Sequence, residues 1–335
     1  MYRKILLANL LTATLIVTTG CGSKQYFSPE TTHNLSTQNT GDNIVYYSRD
    51  GATLASGKIL TKDGSVGFKL ANGFHFINKS QGLTISADDQ GNCQVINNRG
   101  EASSIRFPKA LIAGTIIGKQ LVFLLQNNSF GIYDLERKSI VYSNKAEKAY
   151  AIDTRVANPL QVDNLVVIPT LDGKLTIVNL GTLKVVKEMY VSTESTLNNI
   201  IYLNRINNTL ISATPHKVLT VSNQGKKELD IGVADVIVDG GSIFVFSKDG
   251  TIKKVSEALL VESEKKFRFA HFSTATVYNN RVYALDKQGY LIVSNKTFSK
   301  HKVYKLSKVD SYVFISNGKL YYNGEEIDLN QLNYE

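Results

Sequence analysis

From residue 44 onward, short apolar runs alternate with polar turn residues along the chain. A typical unit is the apolar run at residues 165–168, followed by Asp172-Gly173 and a second alternating run at residues 174–178. Asp-Gly and Asn-Gly supply the positive φ angles that tight turns between antiparallel strands require, so each unit predicts a β-hairpin. The clearest turns are Asp50-Gly51, Asp172-Gly173, Asp249-Gly250, Gln288-Gly289 and Asn317-Gly318, and weaker copies are Gln90-Gly91, Asn128-Ser129 and Pro215-His216.

These hairpins recur at intervals of 29 to 44 residues. A four-stranded propeller blade takes about 40 to 45 residues. We therefore predict an all-β fold, a β-propeller with seven or eight four-stranded blades, whose circular closure protects the strand edges. The first and last hairpins can contribute strands to one composite closing blade. A pair of β-sandwich or barrel domains is the alternative, but the recurrence of whole hairpins favours the propeller.

The amino-terminal residues have the pattern of an export signal. Arg3 and Lys4 precede an apolar stretch at residues 5–17, which is short for a bilayer span and has the proportions of a signal-peptide core. The following Thr18-Thr19-Gly20-Cys21 resembles a lipobox, although Thr18 stands where that motif usually has Leu. The resemblance implies cleavage after Gly20 and lipidation of Cys21 through diacylglyceryl and acyl (palmitate-type) chains. An ordinary secretory signal or an uncleaved anchor is the alternative.

A polar stretch rich in Ser, Thr, Asn and Gln separates this signal from the first hairpin. Such a segment buries too little apolar area to order itself. The predicted organisation is therefore a signal peptide at 1–20, the lipidated Cys21 with a flexible polar tether at 21–43, and the propeller at 44–335.

The net charge of +9 comes mostly from lysines that are interleaved with acids. One interpretation is attraction to anionic lipid headgroups or to an acidic partner. The other is a lysine-studded β surface whose edges resist aggregation. Nucleic-acid binding is not expected, because the chain is exported and has no basic stripe with stacking aromatics. Local basic clusters lie at Lys226-Lys227, Lys253-Lys254, Lys265-Lys266 and Lys300 to Lys302.

The export signal, the polar stretch and repeats of the form of an apolar run, Asp-Gly and Lys-Leu-Thr-Ile-Val-Asn together resemble a known family. It is the quinoprotein-type (PQQ-like) propellers, and among them the BamB-like lipoproteins of outer-membrane assembly. The likeness covers residues 44–329 and rests on repeat form. It implies a noncatalytic scaffold whose loops bind a partner protein in the periplasm.

The residues offer little for catalysis or cofactor binding. Quinoprotein dehydrogenases hold their quinone against tryptophan, and this chain has none. The histidines at 33, 75, 216, 271 and 301 lack metal-ligand spacing. Asp88-Asp89 is interpreted as a hairpin turn and not a calcium loop. Cys93 lies in an alternating segment and is interpreted as a buried, unreactive thiol. No catalytic residue, cofactor or metal site is predicted, and the tyrosines and phenylalanines are assigned mainly to packing.

The expected function is a membrane-anchored periplasmic scaffold that binds an envelope protein, in a complex such as the one for outer-membrane protein assembly. Gly22 follows Cys21, where Asp commonly signals inner-membrane retention, so the outer membrane is favoured. The alternative is a binding module for a small molecule, a carbohydrate or a peptidoglycan fragment in the propeller funnel. A plugged channel with an apolar patch on the rim favours the scaffold, whereas a deep polar pocket favours the binding module.

Overall fold

A computed structural model describes residues 25–149, 152–194, 196–307 and 309–335. In these residues, antiparallel strands form eight four-stranded sheets, which confirms the predicted propeller and gives it eight blades. Blades 1 to 4 comprise β2 (Ile44–Tyr47), β3 (Gly51–Leu54), β4 (Lys58–Thr61), β5 (Gly64–Lys69); β6 (His75–Ser80), β7 (Leu83–Ala87), β8 (Asn92–Ile96), β9 (Ala102–Arg106); β10 (Leu111–Ile117), β11 (Gln120–Leu125), β12 (Ser129–Asp134), β13 (Ser139–Lys145); and β14 (Leu160–Val162), β15 (Leu165–Pro169), β16 (Lys174–Asn179), β17 (Lys184–Tyr190).

The second half of the ring repeats this arrangement. Blades 5 to 7 comprise β18 (Tyr202–Ile206), β19 (Thr209–Thr214), β20 (Lys217–Ser222), β21 (Gly225–Asp230); β22 (Val233–Asp239), β23 (Ser242–Ser247), β24 (Thr251–Val255), β25 (Val261–Lys266); and β26 (Phe272–Tyr278), β27 (Arg281–Asp286), β28 (Tyr290–Asn295), β29 (His301–Lys305). Blade 8 comprises β30 (Phe314–Ser316), β31 (Lys319–Tyr322) and β32 (Glu325–Asp328), with β1 (Gln38–Asn39) paired to β32, and a 3₁₀ turn at Leu329–Gln331 follows.

The core is divided among the seams of the ring. Eight clusters of buried apolar side chains lie in the described part of the chain, each between two adjacent blades. This division explains why the inner strands are buried along almost their whole length, because neighbouring blades cover both of their faces. The fourth strands lie at the outer edge; β17, for example, is exposed along most of its length. Within the described residues, no helix is both long and apolar enough to cross a membrane.

The predicted hairpins all form, but two of them occupy a different place in the blade. Six lie between the second and third strands, whereas Asp50-Gly51 and Asn317-Gly318 lie between the first and second strands of their blades. The corresponding second turns of blades 1 and 8 contain Gly57 and Gly324, both with positive φ. A turn dipeptide marks a reversal of the chain but not which pair of strands it joins, which accounts for the uneven intervals.

The polar stretch before the first blade is attached to the propeller over much of its described length. Phe27 is buried between blades 6 and 7, where its ring meets those of Phe267 and Tyr290 edge-on. The backbone at His33 then pairs with β29, and β1 closes blade 8. We call residues 25–39 the strap. Isolated side chains, namely Phe27, Leu35 and the His33 ring beside Tyr304, hold the strap together with backbone hydrogen bonds, and their spacing produces no hydrophobic pattern in the sequence.

Candidate functional site at the central channel and its rim

The first hairpin of blade 1 is short, and its tip crosses the central channel. Strand β2 has four residues, and the first strands of the other blades range from three in β14 and β30 to seven in β10, β22 and β26. The turn at residues 48–50 reaches side chains of blades on other sides of the ring. Arg49 contacts Asp235 of blade 6, and Asp50 contacts Asn158 beside blade 4. We call this tip the plug.

Arg49 is the centre of the plug. Its Nη1 lies 2.9 Å from Asp235 Oδ1, its Nη2 donates to the carbonyl oxygen of Val236 at 2.6 Å, and its guanidinium lies 4.4 Å from the ring centroid of Tyr202. The side chains of Arg49 and Asp235 are 11% and 12% exposed. A bulge in β22, between Val233 and Asp235, breaks the strand register at this position; bulges of this kind re-aim a side chain.

The charges around Asp235 keep it ionised. Burial alone would raise the pKa of Asp235, but the positive charges of Arg49, Lys62 and Arg155 outweigh burial and hold that pKa below its usual value. A carboxylate that stays ionised and fully engaged is not a proton donor at neutral pH. The arrangement is therefore a structural ion pair.

The rest of the plug is held by the loop before blade 4. Asn158 Nδ2 donates to Asp50 Oδ2 at 2.7 Å, and its Oδ1 accepts from the Gly114 amide at 3.0 Å. The hydroxyls of Tyr47 and Thr154 lie 3.1 Å apart. These contacts join blade 1 to residues about 107 positions later in the chain. The channel is thus crossed by side chains whose polar groups bond to one another, and a cavity of about 380 Å³ that Asp50, Lys62 and Asn78 help to line lies beside them.

A second charged pair lies in the same loop. Arg155 Nε donates to Asp153 Oδ1 at 2.8 Å, and both side chains are largely buried. Burial alone would raise the pKa of Asp153, but the hydrogen bond and charge of Arg155 lower it. The backbone of Asp153 is fixed by Asn199, whose Oδ1 accepts its amide and whose Nδ2 donates to its carbonyl. Asn199 and Arg155 therefore hold Asp153 in place within this loop.

Beside the plug, apolar and aromatic side chains remain accessible at the rim. Val45 is 55% exposed and Tyr312 is 49% exposed, and the Tyr312 ring lies 5.0 Å from that of Tyr47. Tyr46 stacks on His75 with ring centroids 3.8 Å apart. We call these five residues the aromatic rim. Three of them, Val45, Tyr46 and His75, line a groove of about 540 Å³ between blades 1 and 2.

Burial shifts the pKa values of the two stacked residues of the aromatic rim, Tyr46 and His75. Burial lowers the pKa of His75, although Asp89 and Asp88 oppose that shift, and burial raises the pKa of Tyr46 to about 12. Both rings are therefore neutral at physiological pH, and each covers one face of the other. Val45 and Tyr312 are the more exposed members of the aromatic rim and are the better candidates to contact a partner side chain.

The remaining residues discussed from the sequence fall in separate places. Cys21 lies outside the described residues. Cys93 is fully buried, as predicted, and burial raises its pKa to about 12. Asp88 accepts backbone amides of Gln90 and Asn92, which confirms the predicted turn. His216 and His271 each bond a backbone carbonyl. Over the described ranges, His, Cys, Asp and Glu form no group able to hold a metal ion.

Comparisons with known proteins agree with this architecture. No family model matches the chain. Plasminogen-binding protein PgbB of Helicobacter pylori is 27% identical in strain J99 and 26% identical in strain 26695, over 97% of this chain and 69% of the relative. Among solved structures, BamB from Moraxella catarrhalis matches with a TM-score of 0.65 at 14% identity, over 88% of this chain and 98% of that one. The WD40 domain of Sif2 matches with the same TM-score at 10% identity.

The likeness to BamB confirms the predicted resemblance at the level of the fold. The matches to BamB and to the WD40 domain are similar in extent. They therefore show a shared propeller fold and do not transfer any functional residue to this chain. The plug and the aromatic rim could not be read from the sequence. Arg49 and Asp235 are 186 positions apart, and no local pattern connects them.

Proposed function

We propose that this chain is a lipid-anchored periplasmic propeller that acts without catalysis, by binding a protein partner through the aromatic rim. The plug carries the proposal. A plug of paired side chains occupies the place where a propeller would hold a small ligand, while exposed Val45 and Tyr312 flank it. Tyrosine is enriched at protein interfaces. The channel therefore favours the scaffold over the funnel-binding alternative.

Site-specific photo-crosslinking tests the proposed surface. A photoreactive phenylalanine analogue replaces Tyr312 in living cells, and the same analogue replaces Tyr190 as the matched control. Both tyrosines are exposed, at 49% and 41%, but Tyr190 lies on the outer strand β17. We expect a discrete protein adduct from position 312 and none from position 190. Absence of an adduct, or the same adducts from both positions, would contradict the proposal.

Plasminogen is a specific candidate partner. The two PgbB relatives bear the name of plasminogen-binding proteins, and they align with nearly the whole of this chain. Biolayer interferometry with immobilised full-length protein would measure plasminogen binding directly, with the Tyr312→Ala variant beside the native chain. Saturable binding that the variant weakens would support plasminogen. An envelope adduct without plasminogen binding would instead support an assembly partner of the kind that the BamB-like fold suggests.

The anchor is a separate part of the proposal. Cys21 is the residue to be lipidated, and Gly22 after it favours delivery to the outer membrane. Cys21→Ser should abolish incorporation of labelled palmitate and release the chain from the membrane fraction. Retention of label in the variant would show that the lipobox resemblance is misleading. Protease treatment of intact cells would then separate a periplasmic from a surface-exposed propeller.

A further inference from the structure

Blade 7 and the segment that leads into it carry almost all of the excess positive charge of the protein. Residues 265–305 include nine lysines and arginines but a single acid, Asp286, for a net charge of +8. The whole chain of 335 residues has a net charge of +9. The remaining residues are therefore nearly neutral, and the charge is concentrated in the end of β25 and in blade 7. A lysine-studded β surface, the second interpretation given above for the net charge, does not account for this concentration.

The strap enters the propeller at the same place. Phe27 packs against Phe267 with ring centroids 6.2 Å apart, and Phe267 packs against His301 at 5.2 Å. Lys266 and Arg268 flank Phe267 in the sequence, and Lys300 and Lys302 flank His301. Two basic clusters that are far apart in the chain thus meet around the point where Phe27 is buried.

The basic side chains at this seam reach solvent. Lys300 and Lys305 are exposed, as are Lys266 and Arg268. Some have acidic neighbours: Lys266 pairs with Asp249 at 2.7 Å, Lys300 lies 3.7 Å from Glu335, and Lys296 pairs with Asp239. The strap adds an exposed Glu30. These acids neutralise part of the charge but leave a surplus of lysines and arginines, which we call the basic edge.

The proposed anchor lies close to this edge. Phe27 follows Cys21 by six positions, and an extended chain spans at most about 3.5 Å per residue, so the two are within about 21 Å. A lipidated Cys21 would therefore hold Phe27, and with it the seam between blades 6 and 7, near the headgroups. Anionic headgroups attract nearby lysines, and this attraction falls off within a Debye length of about 8 Å at physiological salt. A connection of at most about 21 Å allows the basic edge to approach the headgroups to within that range, and the attraction itself would then favour the docked orientation.

We propose that the basic edge docks on anionic phospholipid headgroups, so that the propeller sits with blade 7 towards the membrane. This inference rests on the proposed lipidation of Cys21. Blade 7 and the aromatic rim are different surfaces, since the rim belongs to blades 1 and 2 and to the segment before blade 8. Docking therefore leaves the aromatic rim open to a partner.

Energy transfer to a labelled bilayer tests the orientation. The lipidated full chain is reconstituted in phosphatidylcholine vesicles with about 30% phosphatidylglycerol, or in phosphatidylcholine alone, with acceptor dye on a trace headgroup. A donor dye is attached at Ser299→Cys in blade 7 or at Arg137→Cys in blade 3, and Cys93 is buried and will not react. We expect greater transfer from position 299, only in the anionic vesicles, and its loss in high salt.

Variants that remove lysines measure how much the basic edge contributes to docking. Each lysine near an anionic surface strengthens attraction about fivefold, so Lys300→Ala with Lys305→Ala should weaken docking about 25-fold. The matched control is Lys184→Ala with Lys187→Ala, which removes two exposed lysines from β17 in blade 4 and should leave docking unchanged. Equal effects from the two pairs would overturn the proposal.

Vesicle flotation distinguishes a failure of the proposed anchoring from a failure of the proposed docking. A chain that does not float with vesicles lacks the anchor, which would overturn both the proposed anchoring and this inference. A chain that floats but gives equal transfer from positions 299 and 137 keeps its anchor and overturns the docking alone. Loss of a crosslinked protein partner in the Lys300→Ala, Lys305→Ala variant, without any vesicle effect, would identify the basic edge as a site for an acidic protein and also overturn lipid docking.

Discussion

Replacement of Arg49 by alanine is the sharpest test of the plug. The substitution leaves Asp235 charged, mostly buried and without its 2.9 Å partner, and it removes the cation above the Tyr202 ring. Breaking a buried ion pair by removing one member costs about 3–5 kcal/mol. Because both side chains retain slightly more than a tenth of their exposure, we expect the lower end, about 3 kcal/mol of unfolding free energy.

Urea unfolding followed by far-ultraviolet circular dichroism measures this loss. Lys119→Ala is the control, because it breaks the pair with Glu136 in which the side chains are 70% and 62% exposed; such pairs contribute about 0.2–1 kcal/mol. The double variant Arg49→Met, Asp235→Leu removes both charges and should regain most of the stability. A loss for Arg49→Ala no larger than that of the control would refute the argument for the plug.

The pH dependence of the same variant has a definite sign. The pKa of Asp235 is below its usual value of 3.8 in the folded protein. Its pairing therefore stabilises the fold fully above about pH 4 and loses that effect as the pH falls through the folded pKa. The difference in unfolding free energy between native chain and Arg49→Ala should be constant near neutrality and should shrink in acid. A difference that grows in acid would contradict the assignment.

Three further predictions concern packing and the buried thiol. Gly51→Ala should destabilise the fold by about 2 kcal/mol, because a Cβ there would lie 2.3 Å from the Phe76 ring, whereas Gly67→Ala, with nothing within 4 Å, should be neutral in the same urea assay. Phe27→Ala should cost about 3 kcal/mol and release the strap to limited proteolysis, detected as cleavage within residues 25–39 by mass spectrometry. Cys93 should resist alkylation at pH 8 until urea unfolds the chain, because burial raises its pKa to about 12.

The repeat could be predicted because its cause is local. Gly173 and Gly250 have φ angles of 84°, and a Cβ on Gly250 would lie 2.2 Å from the Phe267 carbonyl oxygen. Glycine at such a turn therefore follows from backbone geometry within a few residues. Closure into a ring follows as well, because each blade needs neighbours on both sides to cover its apolar faces, whereas the sequence left seven or eight blades open and the structure shows eight.

The features that distinguish this propeller depend on contacts between distant parts of the chain. The pairing of Arg49 with Asp235 joins blade 1 to blade 6 across 186 positions of the chain, which strand propensity does not encode. Strand β1 has two polar residues, Gln38 and Asn39, and both are exposed. The sequence therefore shows no alternation of apolar and polar residues that would predict this strand. Its pairing with β32 is set by the backbone alone. Sequence patterns therefore identified the repeated unit but not the plug, the strap or the aromatic rim.

The strap links ring closure to the orientation of the molecule. Strand β1 completes blade 8 from the amino-terminal side, so the segment before it must cross the outer edge of blade 7 to reach that position. Phe27 fixes the start of this path at the seam of blades 6 and 7. The segment that closes the ring thus also determines which edge lies nearest to the proposed lipid anchor. Since that edge carries the excess positive charge, closure, anchoring and attraction to an anionic surface all favour the same orientation, with the aromatic rim left accessible.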